Sequence, residues 1–271
     1  MKSPLVSLLI LLTAFYLTIT AILFFTQSYF IFFPQEITGN QHYFLKQFKS
    51  NEIILNRDGI SLHGWLIQND TNPKNPLIIY YGGNAEEVSM NLYDLDKFGD
   101  CSLLFMNYRG YGKSEGRPGQ DALFSDALFI FDYISKKYHI PPEKIILKGR
   151  SLGSAVAIHV AGQRKVRAVL LVTPFDNMVN VAKKHYPIFP IKYLLRHPFY
   201  SDRIANEITC PMLAIIGEQD QIIPNKRSLA LVEQWGGKSN HVIIKGAGHN
   251  TISHISEYWV TIHQFLSEMA F

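Results

Sequence analysis

Lys144-Ile145-Ile146-Leu147-Lys148-Gly149-Arg150-Ser151-Leu152-Gly153-Ser154-Ala155-Val156-Ala157-Ile158 is the stretch on which the reading of this chain turns. A short apolar run of strand length enters a G-x-S-x-G, and a helical stretch leaves it towards Gln163. That context makes a sharp strand-to-helix turn which lifts the Ser151 hydroxyl above the end of a sheet. A Cβ at Gly149 or Gly153 would collide with the neighbouring strand or helix. The first turn of the helix leaves backbone N–H groups unpaired and presents the positive end of its dipole, so the N–H of Leu152 is a candidate donor to an oxyanion. Any Gly/Ser turn after a strand shares this pattern, so the motif acquires meaning only with partners elsewhere in the chain.

Upstream, Glu52–Leu55 and Leu62–Ile67 flank Arg57-Asp58-Gly59 and read as an antiparallel hairpin. A polar, two-proline loop from Asn69 to Pro76 follows. From there short apolar runs alternate with helical stretches. Leu77–Tyr81 precedes a helix to about Phe98, and Ser102–Met106 precedes a Gly-rich turn and a helix from Asp121 to Tyr138. Downstream of the turn lie strands at Ala168–Val172, Met212–Ile216 and His241–Ile244, with helices near Lys226–Trp235 and Ser253–Met269. Continuous apolar strands alternating with helices predict an α/β fold, a mostly parallel sheet covered on both faces. Between Phe175 and Asn206 the alternation lapses into an aromatic, basic, proline-containing piece, expected as a small cap at about 175–206.

A serine hydroxyl needs a base, and the base needs a carboxylate to fix its tautomer. In this kind of sheet the expected chain order is Ser, acid, His. Asp220 runs off the end of the strand at Ile216, at the carboxyl edge where ligands bind in open α/β sheets. The same position would also suit an Asp that caps the helix beginning near Pro224. Asp202 falls in the cap, and Glu218 is the substitute within the same loop. His249 ends Gly246-Ala247-Gly248 after another strand. The remaining histidines fall in the linker or arm expected from about Phe33 to Asn51, or in strands, helices, loops or cap, where structural or solvated roles suffice. A second oxyanion donor is expected in Gly82-Gly83-Asn84-Ala85, at the N–H of Asn84.

The chain has 271 residues, enough for one sizeable α/β domain and an appendage. Its formal net charge is only +4 and its Lys and Arg are scattered, so no basic stripe suggests nucleic acid. No Cys/His cluster or HExxH suggests a metal, and the predicted chemistry needs no cofactor. Cys101 and Cys210 are expected to be buried free thiols on strands too far apart for a disulfide. From Pro4 to Gln35 no Asp, Glu, Lys or Arg occurs, and aromatic residues collect at the far end. A run of this length predicts a single transmembrane anchor over 1–35, with the catalytic domain over 36–271. The run exceeds the apolar region of a cleaved signal peptide, and its first part shows almost none of the polar face that a core helix should show. Lys2 on one side and Lys46 and Lys49 on the other nearly balance, with a lean towards an extracytoplasmic domain.

Taken together, these motifs resemble the α/β-hydrolase superfamily, and within it the branch of small, often membrane-anchored serine hydrolases that includes protein depalmitoylases. Phe32-Phe33-Pro34, Gly83-Asn84-Ala85, the run Asn107 to Ser114, Gly149 to Gly153, the turn ending at Asp220, His185-Tyr186-Pro187 and Gly246-Ala247-Gly248-His249-Asn250 all carry the likeness. Gly82 departs from it, since the branch usually has His there. The chain also lacks the N-terminal Cys cluster of the depalmitoylating members. The resemblance implies a serine hydrolase acting through an acyl-enzyme on an ester or thioester of a small-molecule or lipid-like acyl substrate. A non-catalytic membrane-tethered binding protein and a serine peptidase are the alternatives. The cap aromatics Phe175, Tyr186, Phe189, Tyr193, Phe199 and Tyr200, with Met178, either line an acyl site or only pack the cap.

Overall fold

The structure, a computed structural model, describes residues 3–69 and 75–269. Most of the loop expected at 69–76 therefore lies outside the described residues. A 28-residue helix opens the described chain, α1 (Pro4–Ile31), capped by the Ser3 side chain. Between α1 and the first strand the chain carries a short helix, α2 (Gly39–Leu45), where the Gln41 side chain accepts the Thr38 N–H at 2.6 Å. Thr38 and Gln41 form the reciprocal cap that starts helices, and Leu45 buries itself against the body.

The strands are β1 (Glu52–Arg57), β2 (Ile60–Ile67), β3 (Leu77–Tyr81), β4 (Ser102–Met106), β5 (Ile145–Arg150), β6 (Ala168–Val172), β7 (Met212–Gly217) and β8 (Ser239–Ile244). They form one sheet in the order β1-β2-β4-β3-β5-β6-β7-β8. β1 pairs with β2, and β2 with β4, antiparallel; every other pairing is parallel. The strands of the parallel part read as unbroken apolar runs because both faces are covered. On one face lie α3 (Gln120–Lys137), α4 (Leu152–Gln163) and α7 (Asn225–Glu233), packed on Leu147, Val169 and Ala214. On the other lie α8 (Ser256–Glu268) and the segment Val88–Phe98, packed on Tyr80, Phe105 and Leu170.

Val88–Phe98 winds as 3-10 turns instead of the expected regular helix. The Glu87 carboxylate accepts the Ser89 N–H at its start, and Asp94 leaves helical geometry in its middle (φ −110°, ψ 18°). The insertion between β6 and β7 holds α5 (Met178–His185), capped by Asn177, and α6 (Ile191–Leu194). Cys101 and Cys210 precede β4 and β7, four strand positions apart, and both are free. They are half-buried rather than fully buried, and burial pushes both thiols up to about 11.

Candidate active site

The order of connections reverses between β3 and β5, so the loops that follow these two strands leave a crevice at their carboxyl ends. Ser151 stands in that crevice at φ 52° and ψ −117°, a backbone conformation that a non-glycine residue adopts only when its surroundings impose it. The constraint is visible in its neighbours. A Cβ on Gly153 would overlap the Tyr81 carbonyl of β3, and one on Gly149 would overlap the Gly153 backbone. With Cβ absent at both, α4 sits directly against β3 and β5. The Ser151 N–H donates to Val172 O at 2.9 Å, which pins the turn to β6.

The fold brings Ser151, His249 and Asp220 together across 98 and 29 residues of chain. His249 Nε2 lies 2.9 Å from Ser151 Oγ, and His249 Nδ1 lies 2.7 Å from Asp220 Oδ2. The other Asp220 oxygen accepts the N–H groups of Ile222 at 2.9 Å and Ile223 at 2.8 Å. One carboxylate thus caps the turn ahead of α7 and faces the imidazole. An ionised carboxylate only accepts, so the Nδ1 proton belongs on His249 and Nε2 is free to accept from Ser151. All three side chains are buried. The rivals lie elsewhere: Asp202 accepts from the Asn177 amide at 2.6 Å inside the cap, and Glu218 accepts the Gly246 N–H at 2.9 Å, stapling the β7 and β8 loops.

Leu152 and Asn84 bound the same crevice with Ser151. Leu152 is the first residue of α4, where a helix has no internal acceptor for its N–H. The Asn84 carbonyl accepts from the Tyr111 hydroxyl at 2.6 Å and from the Phe33 N–H at 3.0 Å, and its side-chain amide donates to Ile31 O at 3.1 Å. Gly82, the departure from the expected pattern, gives its carbonyl to the Tyr108 hydroxyl at 3.0 Å.

A half-buried ion pair that sequence reading passed over organises both loops. Glu86 accepts from Gly83 N–H at 2.8 Å, from the Tyr80 hydroxyl at 2.7 Å and from the Asn91 amide at 2.7 Å. Arg150 donates to Glu86 at 3.1 Å and to the Asn250 side chain, beside His249, at 3.0 Å. Burial raises the Glu86 carboxyl, but the Arg150 charge and those hydrogen bonds outweigh it, so the net shift is downward and the group stays ionised. The only signal in the sequence was an acid three residues beyond the Gly-Gly turn and an arginine beside the serine.

Above Ser151 opens a cavity of about 760 Å³, within the range of sites for small organic ligands. Met178, Phe189 and Leu194 of the cap form one side, and Leu23, Phe24 and Phe30 of α1 the other. The large apolar and aromatic residues of the cap divide between their two expected roles. Phe175, Met178, Tyr186 and Phe189 face the cavity, whereas Phe199 packs on Phe32 and Phe124, and Tyr200 lies under Arg203.

Comparison with known proteins agrees with this architecture. A family model described as serine hydrolase matches residues 131–268. An uncharacterised protein of Mycobacterium tuberculosis is 34% identical over 202 residues, covering 73% of this chain and 71% of that protein. The mouse alpha/beta hydrolase domain-containing protein 17C is 30% identical over 168 residues, covering 62% of this chain and 51% of its own length. Among solved structures, Est1E from Butyrivibrio proteoclasticus superimposes with a TM-score of 0.67 at 18% identity, covering 81% of this chain and 98% of that one. The Pyrococcus furiosus esterase Pf2001 does so with a TM-score of 0.67 at 19% identity, covering 88% and 97%. At such identities these two likenesses speak for the fold alone.

Proposed function

The chain belongs to the serine hydrolase family of the α/β-hydrolase superfamily, and from that premise we propose that it hydrolyses an ester or thioester through an acyl-enzyme on Ser151. The observation that carries the reading is the unbroken line from Ser151 Oγ through the His249 ring to Asp220, with gaps of 2.9 Å and 2.7 Å, at the floor of an apolar cavity.

In this reading His249 Nε2 takes the Ser151 proton as Oγ attacks the substrate carbonyl. Asp220 holds the ring in the required tautomer and stabilises the imidazolium that forms. Negative charge develops on the carbonyl oxygen, and the N–H groups of Leu152 and Asn84 are assigned to it. His249 then returns the proton to the leaving group. Water, deprotonated by the same imidazole, attacks the acyl-enzyme and releases the acid. The apolar walls suit an acyl chain, the substrate class shared with the depalmitoylase-containing branch that the motifs resemble. In the same reading α1 is a single-pass membrane anchor, since it is long and apolar enough to cross a bilayer.

A fluorophosphonate probe tests the nucleophile. The full-length protein in detergent is expected to label, and Ser151→Ala to lose both label and ester turnover, the latter by at least about a thousandfold. A folded parent that neither labels nor turns over an ester would leave a binding protein as the better description.

A further inference from the structure

α1 does more than precede the domain. From Pro4 to Phe15 every residue is exposed. From Tyr16 onward a stripe at helical spacing is covered, through Ile19, Leu23, Gln27 and Ile31. The cap does most of the covering. The Tyr16 hydroxyl donates to Ile188 O at 2.9 Å, and its ring stacks on Phe189 with centroids 5.6 Å apart. Gln27, a buried amide in a helix without a charged residue, donates to Leu194 O at 3.1 Å and accepts the Arg196 N–H at 2.6 Å. At the end of α1, Ile31 O and the Phe33 N–H both hold Asn84. The cavity over Ser151 is therefore closed on one side by the apolar helix itself.

The depth of that contact follows from length. A helix needs about 20 apolar residues to cross the hydrocarbon. Every window of about that length between Pro4 and Phe33 contains Tyr16 and Leu23. If α1 spans, Tyr16 lies inside the bilayer, and the cap tip bonded to it lies there too. The tip is built for such a place. Ile188 is 71% exposed and Tyr193 81% exposed. Lys183 and Lys192 stand exposed in the same part of the cap, where long stems can carry ammonium groups back to phosphates at the surface.

We propose that the seam between α1 and the cap opens into the bilayer and admits the long acyl chain of a membrane-resident fatty-acyl ester sideways. Leu23 and Phe24 form the wall against which the chain lies while its carbonyl reaches Ser151. This assignment rests on the serine hydrolase reading of the site, and names the substrate class and its route. The helix is thus part of the substrate site, and the charged rim of the cap fixes how deep the tip sits.

The test uses the full chain in phosphatidylcholine vesicles with 4-methylumbelliferyl butyrate and palmitate. Leu23→Trp fills the wall, and its palmitate-to-butyrate ratio of kcat/KM is expected to fall at least tenfold. Ile188→Asp places a charge on the tip, outside the cavity. It is expected to slow palmitate in vesicles at least tenfold and to leave butyrate in solution unchanged. Fluorophosphonate labelling at the parental rate shows that each variant is folded. An unchanged ratio in a labelled Leu23→Trp would overturn the proposal, as would equal slowing of both esters by Ile188→Asp. A parent that labels and hydrolyses butyrate but not palmitate would also overturn it while leaving the hydrolase reading in place. A parent that does not label at all removes that reading, and this one with it.

Discussion

Arg150 occupies the variable place in the turn around Ser151, and it ties two loops to that turn at once. One hand reaches Glu86, which holds the Gly83–Asn84 loop, and the other reaches Asn250, next to His249. Glu86 does not line the cavity, and Arg150 borders it with its guanidinium committed to Glu86 and Asn250, so their role is to position. Glu86→Gln keeps the shape but removes the charge that pairs with Arg150. It is expected to lower kcat by about tenfold to a hundredfold, less than the loss of an oxyanion donor itself, with KM for a short ester little changed. An equal loss in KM would mean a general loosening instead. Lys148, two residues back, is buried with its ammonium facing the rings of Tyr80 and Phe98 at 4.6 and 4.9 Å. Burial lowers it from 10.5 to about 8. Between those values the unfolded chain binds more protons than the folded one, so the penalty is fully present below pH 8 and fades towards pH 10.5. The rings offset part of it. Lys148→Met is expected to stabilise the fold by about 1–3 kcal/mol at pH 7, and by less at pH 10, in denaturant titrations.

At the scale of elements, α4 owes its place to two missing side chains. Its first turn lies against the carbonyl oxygens of Tyr81 and Gly82, which leave no room for a Cβ on Gly153. The neighbouring atoms are backbone of a central strand and cannot yield. Gly153→Ala is expected to cost about 2–4 kcal/mol and to shift Ser151 away from His249, seen as a lower melting temperature together with slower fluorophosphonate labelling. The strands themselves were plain in the sequence as continuous apolar runs, because both faces of a parallel sheet are covered. Val88–Phe98 was less plain. Its apolar spacing suits a helix, and its 3-10 winding depends on the Glu87 carboxylate at its start and the break at Asp94, local details that periodicity does not register.

Across the whole molecule, the N-terminal helix, the cap and the Asn84 loop form one connected unit. Gln27 is the polar joint, with both ends of its amide bonded to cap backbone. Gln27→Ala leaves Leu194 O and the Arg196 N–H without that partner, a loss of about 1–3 kcal/mol. The expected readout is faster proteolysis at Tyr186–Tyr200, while the sheet stays intact by circular dichroism. If cap cleavage proceeds at the parental rate, the joint carries no weight in holding the cap.

By itself the sequence determined the class of fold, the place of the turn at Ser151, and the chain order in which Asp220 and His249 follow it. Those features are local: a strand's burial, a helix's period and a glycine's missing Cβ all act within a few residues and leave their mark in the string. The presence of a long apolar segment was equally legible, since it depends on composition and length. Only the tertiary structure decided what meets what. The pairing of Glu86 with Arg150 spans 64 residues, and the contact of Tyr16 with Ile188 spans 172. Gln27 reads as the middle of a short polar trio, Thr26-Gln27-Ser28, near the end of an apolar run until the cap closes on it. Such contacts are set by how the sheet orders its loops and how the cap folds back. No short window of sequence contains both partners, so none could announce that the helix is also a wall of the site.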